Sequence, residues 1–573
     1  MTPATPSPLA PARRRPRRTA AQRHVRTACC ALVLSAVAWG AGPGVSQAET
    51  APPPEQADAA SAKWDTWQNS GGAIPANYMG LSIEWSLVER YMGPNSRPAF
   101  VNLLRNLGTG VLRIGGSSQD VTPFDATAPD TDRVITLTDL RNIRDTLAAA
   151  NADTPEHSKP AWGVVLGTAM SPPSATRPFV STAHTRSFLT EGVEPVFTGE
   201  SARYVAGIEL GNEPDLSYGS NLDRYLSDLT TYSDPGVIGR FPLIAPNTSE
   251  DILPWQSVAG ATVPTRYFWN WPQILDTTAA RAKENAGEFG AWASDHFYPL
   301  ARTCVNKPYR CPSAGALLSD EHMNTLDHQV YVHARQATEH GLGYRLEETN
   351  TAANRGADGV SNTAASATYA LNLMFHTACP QPPDDPSANA DCGTGAIGVN
   401  FHNAEVRAFY APEEGNAYYN AVNYDPSPEP GAPTAAPLYY AMLLFAHFAQ
   451  DGQELRPVQI PTDGTEASHL KAWQVRGKDG ERRLFLINKS AHPATVTLTA
   501  PGAKAQVDRM TPYDPTGAGH TLGVPQVRID GQSVSPDGSW PGFRPSTEKF
   551  KHHHLTATLD AGEAAVITLQ PGS

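Results

Sequence analysis

The sequence predicts an α/β fold, a (β/α)8 TIM barrel followed by a C-terminal β-sandwich domain. Over residues 76–450, short apolar runs alternate with amphipathic stretches, and from residue 451 to 573 the helical pattern stops. Parallel barrel strands are buried on both faces and alternate with helices, which produces this rhythm. At 573 residues the chain is long enough for two such domains.

Eight apolar runs are the expected barrel strands. They cover residues 79–85, 111–118, 162–170, 204–214, 242–249, 290–299, 344–350 and 396–403. Between them apolar residues recur at i, i+3 and i+4, the pattern of amphipathic helices. A doubly wound open sheet is the alternative. In such a fold a glycine-rich phosphate-binding loop is expected after the first strand. The segment GLSIEW at residues 80–85 does not have this glycine pattern.

The start of the chain is expected to be a secretory signal peptide, residues 1–48. Its first 26 residues contain seven arginines and no acid, an apolar stretch follows, and Ser46-Gln47-Ala48 suits signal peptidase. Residues 49–62, rich in proline and alanine, are expected to be a disordered mature N-terminus. Residues 63–75 are expected to add a strand to the β-sandwich. We therefore expect a secreted protein.

Charge and cysteine content limit the partners. Without residues 1–48, 37 basic residues face 57 acidic ones, a net charge near −20. Nucleic acid and anionic membranes would repel such a chain, so neither is expected as a partner. The four remaining cysteines are expected to form two local disulfides, Cys304 with Cys311 and Cys379 with Cys392. A zinc site is the alternative, but CxxC spacing is absent from the sequence. No metal or cofactor is expected.

Polar residues follow the apolar runs, where the carboxyl ends of barrel strands converge on one pocket. Two of them are glutamates on opposite runs, Glu213 and Glu348, and a carboxylate pair of this kind is typical of glycoside hydrolysis. When the two carboxyl groups are about 5–5.5 Å apart, the product keeps the anomeric configuration of the substrate. A separation of about 6.5–9.5 Å instead admits a water molecule between them and inverts the configuration. The other candidate substrate-binding residues at the strand ends are Glu84, Gly116, Ser117, Asn212, His296, Tyr298 and His402.

The residues around the pair suggest separate roles. Asn212 can donate to a sugar hydroxyl beside Glu213, which fits Glu213 as the acid/base. Tyr298 or His296 is expected to donate to Glu348 and keep it ionised as the nucleophile. Arg113, inside the second run, is interpreted as a brace for the barrel.

Seven motifs occur in the order found in glycoside hydrolase family 79, the heparanase and β-glucuronidase family of clan A. They are GAIPANYMGLSIEW, VLRIGGSSQD, GNEPD, LEETN, GVSNTAASATYALNLMF, GVNFH and AAPLYYAMLLFAHF. The chain resembles a secreted bacterial member of this family over residues 73–450, and the trailing β-sandwich is similar too. The resemblance implies a retaining exo-β-glucuronidase, with Glu213 as acid/base and Glu348 as nucleophile.

The chain departs from the family pattern at two points. The family has Gly-Glu-Thr at the nucleophile, whereas this chain has Glu347-Glu348-Thr349. Neighbours on a strand point to opposite sides, so only one of the two glutamates is expected to face the sugar. In the family, a following Tyr-Gly-Gly holds the uronic acid carboxylate by its backbone N–H groups. Here Arg355 stands in that loop, either as a grip for that carboxylate or as a solvated residue beside a site for a neutral sugar. Tyr410 is expected to donate a further hydrogen bond.

Three other functions stay open at the level of sequence. A family relative could cleave a neutral β-linked sugar or a disaccharide unit. An endo-acting, heparanase-like enzyme would need basic residues to hold a sulfated polymer, which the acidic charge disfavours. An inactive barrel that only binds glycans is the non-enzymatic alternative, and the presence of both glutamates counts against it.

Overall fold

The computed structural model describes residues 58–63 and 72–569, apart from short gaps. The gaps are residues 130–132, 156, 173, 175–176, 250–254, 259–260, 265–268, 285–286, 306–307, 383–391, 394, 405–415, 426–430, 451, 461–468, 478–479, 500–503, 518 and 520. The predicted signal peptide and Tyr410 lie outside the described residues.

Eight parallel strands form the central sheet. They are β1 Met79–Glu84, β2 Gly110–Gly115, β3 Trp162–Thr168, β4 Val205–Leu210, β5 Leu243–Ile244, β6 Trp292–Phe297, β7 Gly343–Thr349 and β8 Gly398–Asn403. Their order in the sheet is β5-β4-β3-β2-β1-β8-β7-β6. The segment after β5 closes the ring on β6, because the Asn247 N–H donates to Ser294 O at 2.9 Å and the His296 N–H to Thr248 O at 2.9 Å. The predicted barrel is confirmed.

Helices follow each strand and cover the barrel. The principal ones are α1 Arg97–Asn106, α2 Leu137–Ala150, α3 Thr182–Ser187, α4 Leu222–Tyr232, α5 Trp271–Glu284, α6 Asp320–Glu339, α7 Ala364–Ala378 and α8 Pro437–Ala449. Shorter helices are Val88–Met92, Glu194–Val196, Pro214–Tyr218, Pro235–Ile238 and Ala314–Leu317. Local sequence explains where α2 begins. Thr136 and Asp139 form a capping box at the start of α2.

The second domain is the predicted β-sandwich. Its strands are β9 Gly452–Pro457, β10 Leu470–Gly477, β11 Arg482–Asn488, β12 Ala494–Thr499, β13 Lys504–Tyr513, β14 Gln526–Ile529, β15 Ser546–Lys549, β16 His554–Leu559 and β17 Ala564–Leu569. The larger sheet has the order β9-β10-β11-β17-β13-β14, with β15 also on β13, and β12 and β16 belong to a smaller sheet. Apolar side chains such as Leu484, Val496 and Ile567 fill the space between the sheets.

The sandwich also covers part of the barrel. Helix α7 is apolar nearly all round, which indicates burial on every side. Its Phe375 stacks on Trp473 of β10, with ring centroids 4.3 Å apart. The sandwich therefore covers the side of α7 that a helix on the outside of a barrel otherwise exposes to solvent.

The expected disorder of residues 49–62 is wrong for the described part of that segment. Asp58–Lys63 is a strand that pairs in parallel with β12, from Asp58 opposite Ala494 to Lys63 opposite Thr499. Composition indicated disorder, but the open edge of β12 supplies backbone hydrogen-bond partners that composition does not reveal. The strand that precedes the barrel thus joins the sandwich earlier in the chain than residues 63–75. Within that range, Gly72 forms a single bridge with Leu455 of β9.

Both predicted disulfides are present. Cys304 is bonded to Cys311 with Cα atoms 5.0 Å apart, and Cys379 is bonded to Cys392. All four thiols are consumed, so the alternative zinc site is wrong. Among the described residues, no helix combines the length and the apolar character that crossing a bilayer requires.

Candidate active site

Glu213 is directed into the barrel mouth by the turn that ends β4. Its backbone is left-handed, with φ 45° and ψ 57°, a conformation that costs free energy in a residue other than glycine. The Glu213 N–H donates to Asn247 O at 3.1 Å, and Pro214 begins a short helix immediately afterwards. The side chain of Glu213 is 20% exposed, so this carboxyl group is accessible to a ligand.

A β-bulge at the end of β7 changes the expected orientation of the two adjacent glutamates. The register of β7 shifts between Leu346 and Glu348 against β6, and between Leu346 and Thr349 against β8. A bulge breaks the alternation of side chains. Glu347 and Glu348 consequently both point into the barrel, and their expected placement on opposite sides is wrong. Glu348 lies at the mouth, and Glu347 lies one layer deeper, beside Trp292.

Glu348 is held by two strong donors. The Tyr298 hydroxyl donates to Oε1 at 2.8 Å, and Arg113 Nη1 donates to Oε2 at 2.5 Å. Burial alone would raise the pKa of Glu348. Attraction to the side chains of His402, His296 and Arg113 outweighs burial and holds this pKa well below its usual range. Glu348 is therefore an anion at neutral pH, as a nucleophilic carboxylate must be.

His296 contacts the other glutamate. Its Nδ1 lies 3.0 Å from Glu213 Oε1, so Tyr298 rather than His296 is the donor to Glu348. Burial alone would lower the pKa of His296, but attraction to Glu348 and Glu213 raises it to about 9. Helix α6 fixes the strand here, because Gln329 Nε2 donates to His296 O at 2.9 Å. His296 is thus an imidazolium between the two carboxylates.

The two carboxylates are close together. One oxygen of Glu213, one of Glu348 and a ring nitrogen of His296 all lie within 4.8 Å of one another. These donor types could also hold a divalent cation. Protonated His296 and Arg113 already supply the positive charge that such an ion would bring. The arrangement suits a pair of carboxylates on either side of one scissile bond.

Arg113 is the functional residue that the sequence interpretation underestimated. It is fully buried and uses all five N–H donors. Nε and Nη2 each donate to Glu209 at 2.6 Å, Nη2 also to Asn212 Oδ1 at 2.7 Å, and Nη1 to Ser82 Oγ at 2.9 Å and to Glu348. Arg113 and Glu209 both interrupt apolar strands. Since an unpaired buried charge costs several kcal/mol, this was the signal for a buried pair.

The other candidate residues surround the same mouth. Because Asn212 Oδ1 accepts from Arg113, its NH2 group is the end left to donate to a hydroxyl. His402 Nε2 lies 3.3 Å from Glu84 Oε1, and its Nδ1 lies 2.8 Å from Ser82 Oγ. A Cβ on Gly116 would lie 2.9 Å from the Glu84 carboxyl carbon, so only glycine fits there.

Two serines, Ser117 and Ser118, follow β2, and they differ in burial. Ser117 is exposed on the turn. Buried Ser118 contacts the site, because its N–H donates to Glu84 Oε2 at 2.8 Å. Ser118 is therefore the serine that orients Glu84, and substrate binding by Ser117 stays a prediction.

Arg355 is buried, only 5% exposed, so the solvated alternative is wrong. Its backbone is left-handed, with φ 73°, and its carbonyl accepts from the Tyr418 N–H at 2.8 Å. This turn folds the side chain inward. Burial, Glu348 and Glu84 hold the pKa of the Tyr419 phenol well above its usual value, and the Arg355 charge opposes them. Tyr419, which follows Tyr418 in the chain, stacks on Tyr298 with ring centroids 6.2 Å apart. Tyr298 donates to Glu348, so the backbone of Arg355 lies close to the residues that surround Glu348.

Comparisons with known proteins find similarity at the level of structure. No model of a known protein family matches the chain, and no curated protein matches its sequence. A 4-O-α-L-rhamnosyl-β-D-glucuronidase from Fusarium oxysporum is similar at a TM-score of 0.61 and 16% identity, over 89% of this chain and 100% of that one.

Two family 51 arabinofuranosidases are also similar. The enzyme from Xanthomonas axonopodis has a TM-score of 0.55 and 12% identity, over 89% of this chain and 99% of that one. The enzyme from Bifidobacterium longum has a TM-score of 0.53 and 14% identity, over 90% of this chain and 100% of that one. These three structural neighbours are glycosidases. At such identities the likeness shows a shared fold.

Proposed function

We propose that the protein is a secreted, retaining exo-β-glucuronidase of the family 79 type. Glu348 attacks the anomeric carbon, and Glu213 first protonates the leaving oxygen and then activates water. The observation that carries this proposal is the spacing of the pair, since a carboxylate oxygen of each lies within 4.8 Å of the other. That spacing favours the retaining geometry of about 5–5.5 Å over the wider inverting one.

The electrostatics of the site support the assignment of roles. Glu348 is the buried, doubly hydrogen-bonded carboxylate whose pKa is held low, as a nucleophile requires. Glu213 is the more exposed carboxyl group, and its Oε1 lies 3.0 Å from His296 Nδ1. After the first step a proton must return to Glu213 from water, and its exposure allows this.

A uronic acid is the substrate we favour because a cation is buried near the pocket. The mature chain is acidic overall, so a uronate needs a local positive charge to be held. Arg355 is the candidate, and a guanidinium can bind a carboxylate through two parallel hydrogen bonds. A disaccharide with a capped glucuronic acid is the second candidate, because the structural neighbour from Fusarium oxysporum cleaves a rhamnosyl-glucuronide.

The test of function compares aryl β-glucuronide, aryl β-glucoside and aryl β-xyloside. We expect the glucuronide to be cleaved with a kcat/KM at least about 10²-fold above the others, as a buried charge pair predicts. The first product, followed by NMR, should have the β configuration. Equal rates on all three glycosides would refute glucuronide specificity, and an α product would refute the retaining mechanism. Binding of glucuronic acid without any turnover would favour the inactive glycan-binding barrel.

Replacing Arg355 with Met should lower kcat/KM for the glucuronide by about 10²–10³-fold, because a buried charge-assisted contact of 2–5 kcal/mol is lost. The rate on aryl β-glucoside should change by less than about threefold, since that sugar has no carboxylate. Both are measured by steady-state kinetics.

Arg302 on the neighbouring loop offers a matched control. Its guanidinium lies over the Tyr418 ring at 4.9 Å, and its Nη2 donates to Asn416 O at 2.6 Å. Arg302→Met removes the same charge from the rim and should affect both substrates alike. An equal loss on both substrates in Arg355→Met would show that Arg355 supports the loop and does not select the sugar.

A further inference from the structure

Glu347 is a completely buried carboxyl group one layer beneath the nucleophile. Trp292 Nε1 donates to its Oε2 at 3.2 Å, and its Oε1 has no hydrogen-bond partner among the described residues. The family pattern has a glycine at this position, so the acid is a property of this chain. A buried carboxylate with a single weak donor is unfavourable, whereas a neutral carboxyl group is tolerated.

The charges around Glu347 also oppose its ionisation. Glu209 on β4, which accepts two hydrogen bonds from Arg113, is an acidic neighbour, and Arg113 on β2 has no N–H left to donate, since all five are in use. Arg345 on β7 attracts Glu347 but donates to Asn400 and to backbone carbonyls. An ionised Glu347 would be the third carboxylate around Arg113, which already holds two.

We propose that Glu347 is a positioning residue that acts in its protonated form, and that its ionisation sets the alkaline limit of activity. With Glu347 neutral, Arg113 is shared between Glu209 and Glu348 and keeps the nucleophile in place. Loss of the Glu347 proton to solvent adds an anion that competes for Arg113 and weakens its hold on Glu348. The inference rests on the proposed function, because Glu348 must be catalytic for activity to report it.

The direction of the pKa shift agrees with this geometry. Burial, followed by repulsion from Glu209, raises the pKa of Glu347 from 4.5 to about 7, against attraction from Arg113 and Arg345. Ionisation therefore falls in the range where glycosidase activity is measured, and a protonated acid at this depth is the normal state at mildly acidic pH.

The first experiment compares pH profiles of kcat for the wild type and Glu347→Gln, which mimics the neutral acid. The wild type should lose activity above about pH 7, and the alkaline limb of Glu347→Gln should lie at least about one pH unit higher. Glu209→Gln is the matched control, because it neutralises the carboxylate that Arg113 does bind. It should be slower by about 10²-fold or more at every pH. An unchanged alkaline limb in Glu347→Gln, or a loss at every pH like that of Glu209→Gln, would overturn the proposal.

The second experiment needs no substrate and so separates this inference from the proposed function. Between the unfolded pKa of 4.5 and the folded pKa of about 7, the folded state keeps a proton that the unfolded state has lost. Stability due to Glu347 therefore falls as pH rises through this window. The Tm of Glu347→Gln relative to the wild type should increase from about pH 5 to about pH 8. A Tm difference that is constant across this range would overturn the inference even if glucuronidase activity is found.

Discussion

Glu348→Gln is expected to abolish glycoside turnover while the sugar still binds. Glutamine has the same shape and can still accept from the Tyr298 hydroxyl, which lies 2.8 Å from Glu348 Oε1. It cannot form a glycosyl ester, so the double displacement stops before its first intermediate. We expect kcat to fall by at least about 10⁴-fold, the size of effect seen when a covalent nucleophile is removed. Steady-state kinetics on an aryl glycoside and calorimetric binding of the free sugar measure the two parts.

The adjacent glutamate provides the control for this prediction. Glu347→Gln is the same chemical change one residue earlier, also inside the barrel, and we expect it to keep turnover at about pH 6, where Glu347 is already neutral. Activity of Glu348→Gln near that of the wild type would remove Glu348 from its role. If Glu347→Gln were inactive and Glu348→Gln active, the nucleophile would be Glu347 and not Glu348.

The barrel could be predicted from the sequence because burial is visible locally. Parallel strands buried on both faces must be apolar, and only their carboxyl ends tolerate polar residues. The run at residues 344–350 therefore corresponds to β7, Gly343–Thr349, within one residue. The run at residues 242–249 was less well predicted. Only Leu243–Ile244 pairs with β4, because Asn247 and Thr248 turn to close the ring on β6.

Contacts between distant strands could not be predicted in the same way. Arg113 and Glu348 are 235 residues apart, and no local pattern indicates that Arg113 donates to Glu348 in addition to Glu209. The bulge in β7 could not be predicted either. The sequence of a single strand indicates only that successive side chains alternate between the two faces of the sheet. Burial of Arg355 depends on a left-handed turn that the sequence of the loop does not require. In each case the missing information is the position of a second segment.

Glu213→Ala is expected to slow the enzyme in proportion to the need for protonation of the leaving group. A general acid contributes about 10²–10⁴-fold, so cleavage of an alkyl glycoside should fall by this factor. An aryl glycoside with a strongly acidic phenol needs little protonation and should form the glycosyl-enzyme at a nearly normal rate. Its turnover should then be limited by the second step, in which no base activates water. We expect a burst of phenol followed by slow steady-state release, measured by stopped-flow absorbance.

Azide should rescue the second step in Glu213→Ala, because this anion needs no base and occupies the space left by the carboxylate. Attack on an α-linked ester of Glu348 gives a β-glycosyl azide. The configuration of this product therefore shows that azide attacked the face of the sugar where Glu213 stands in the wild type. His296 favours the anion there, since the imidazolium that lies 3.0 Å from Glu213 Oε1 loses its carboxylate partner in this variant. Glu348→Gln has no ester to intercept and should show neither the burst nor the azide product. Equal losses on alkyl and aryl glycosides, with no response to azide, would mean that Glu213 shapes the mouth of the barrel and does not transfer the proton.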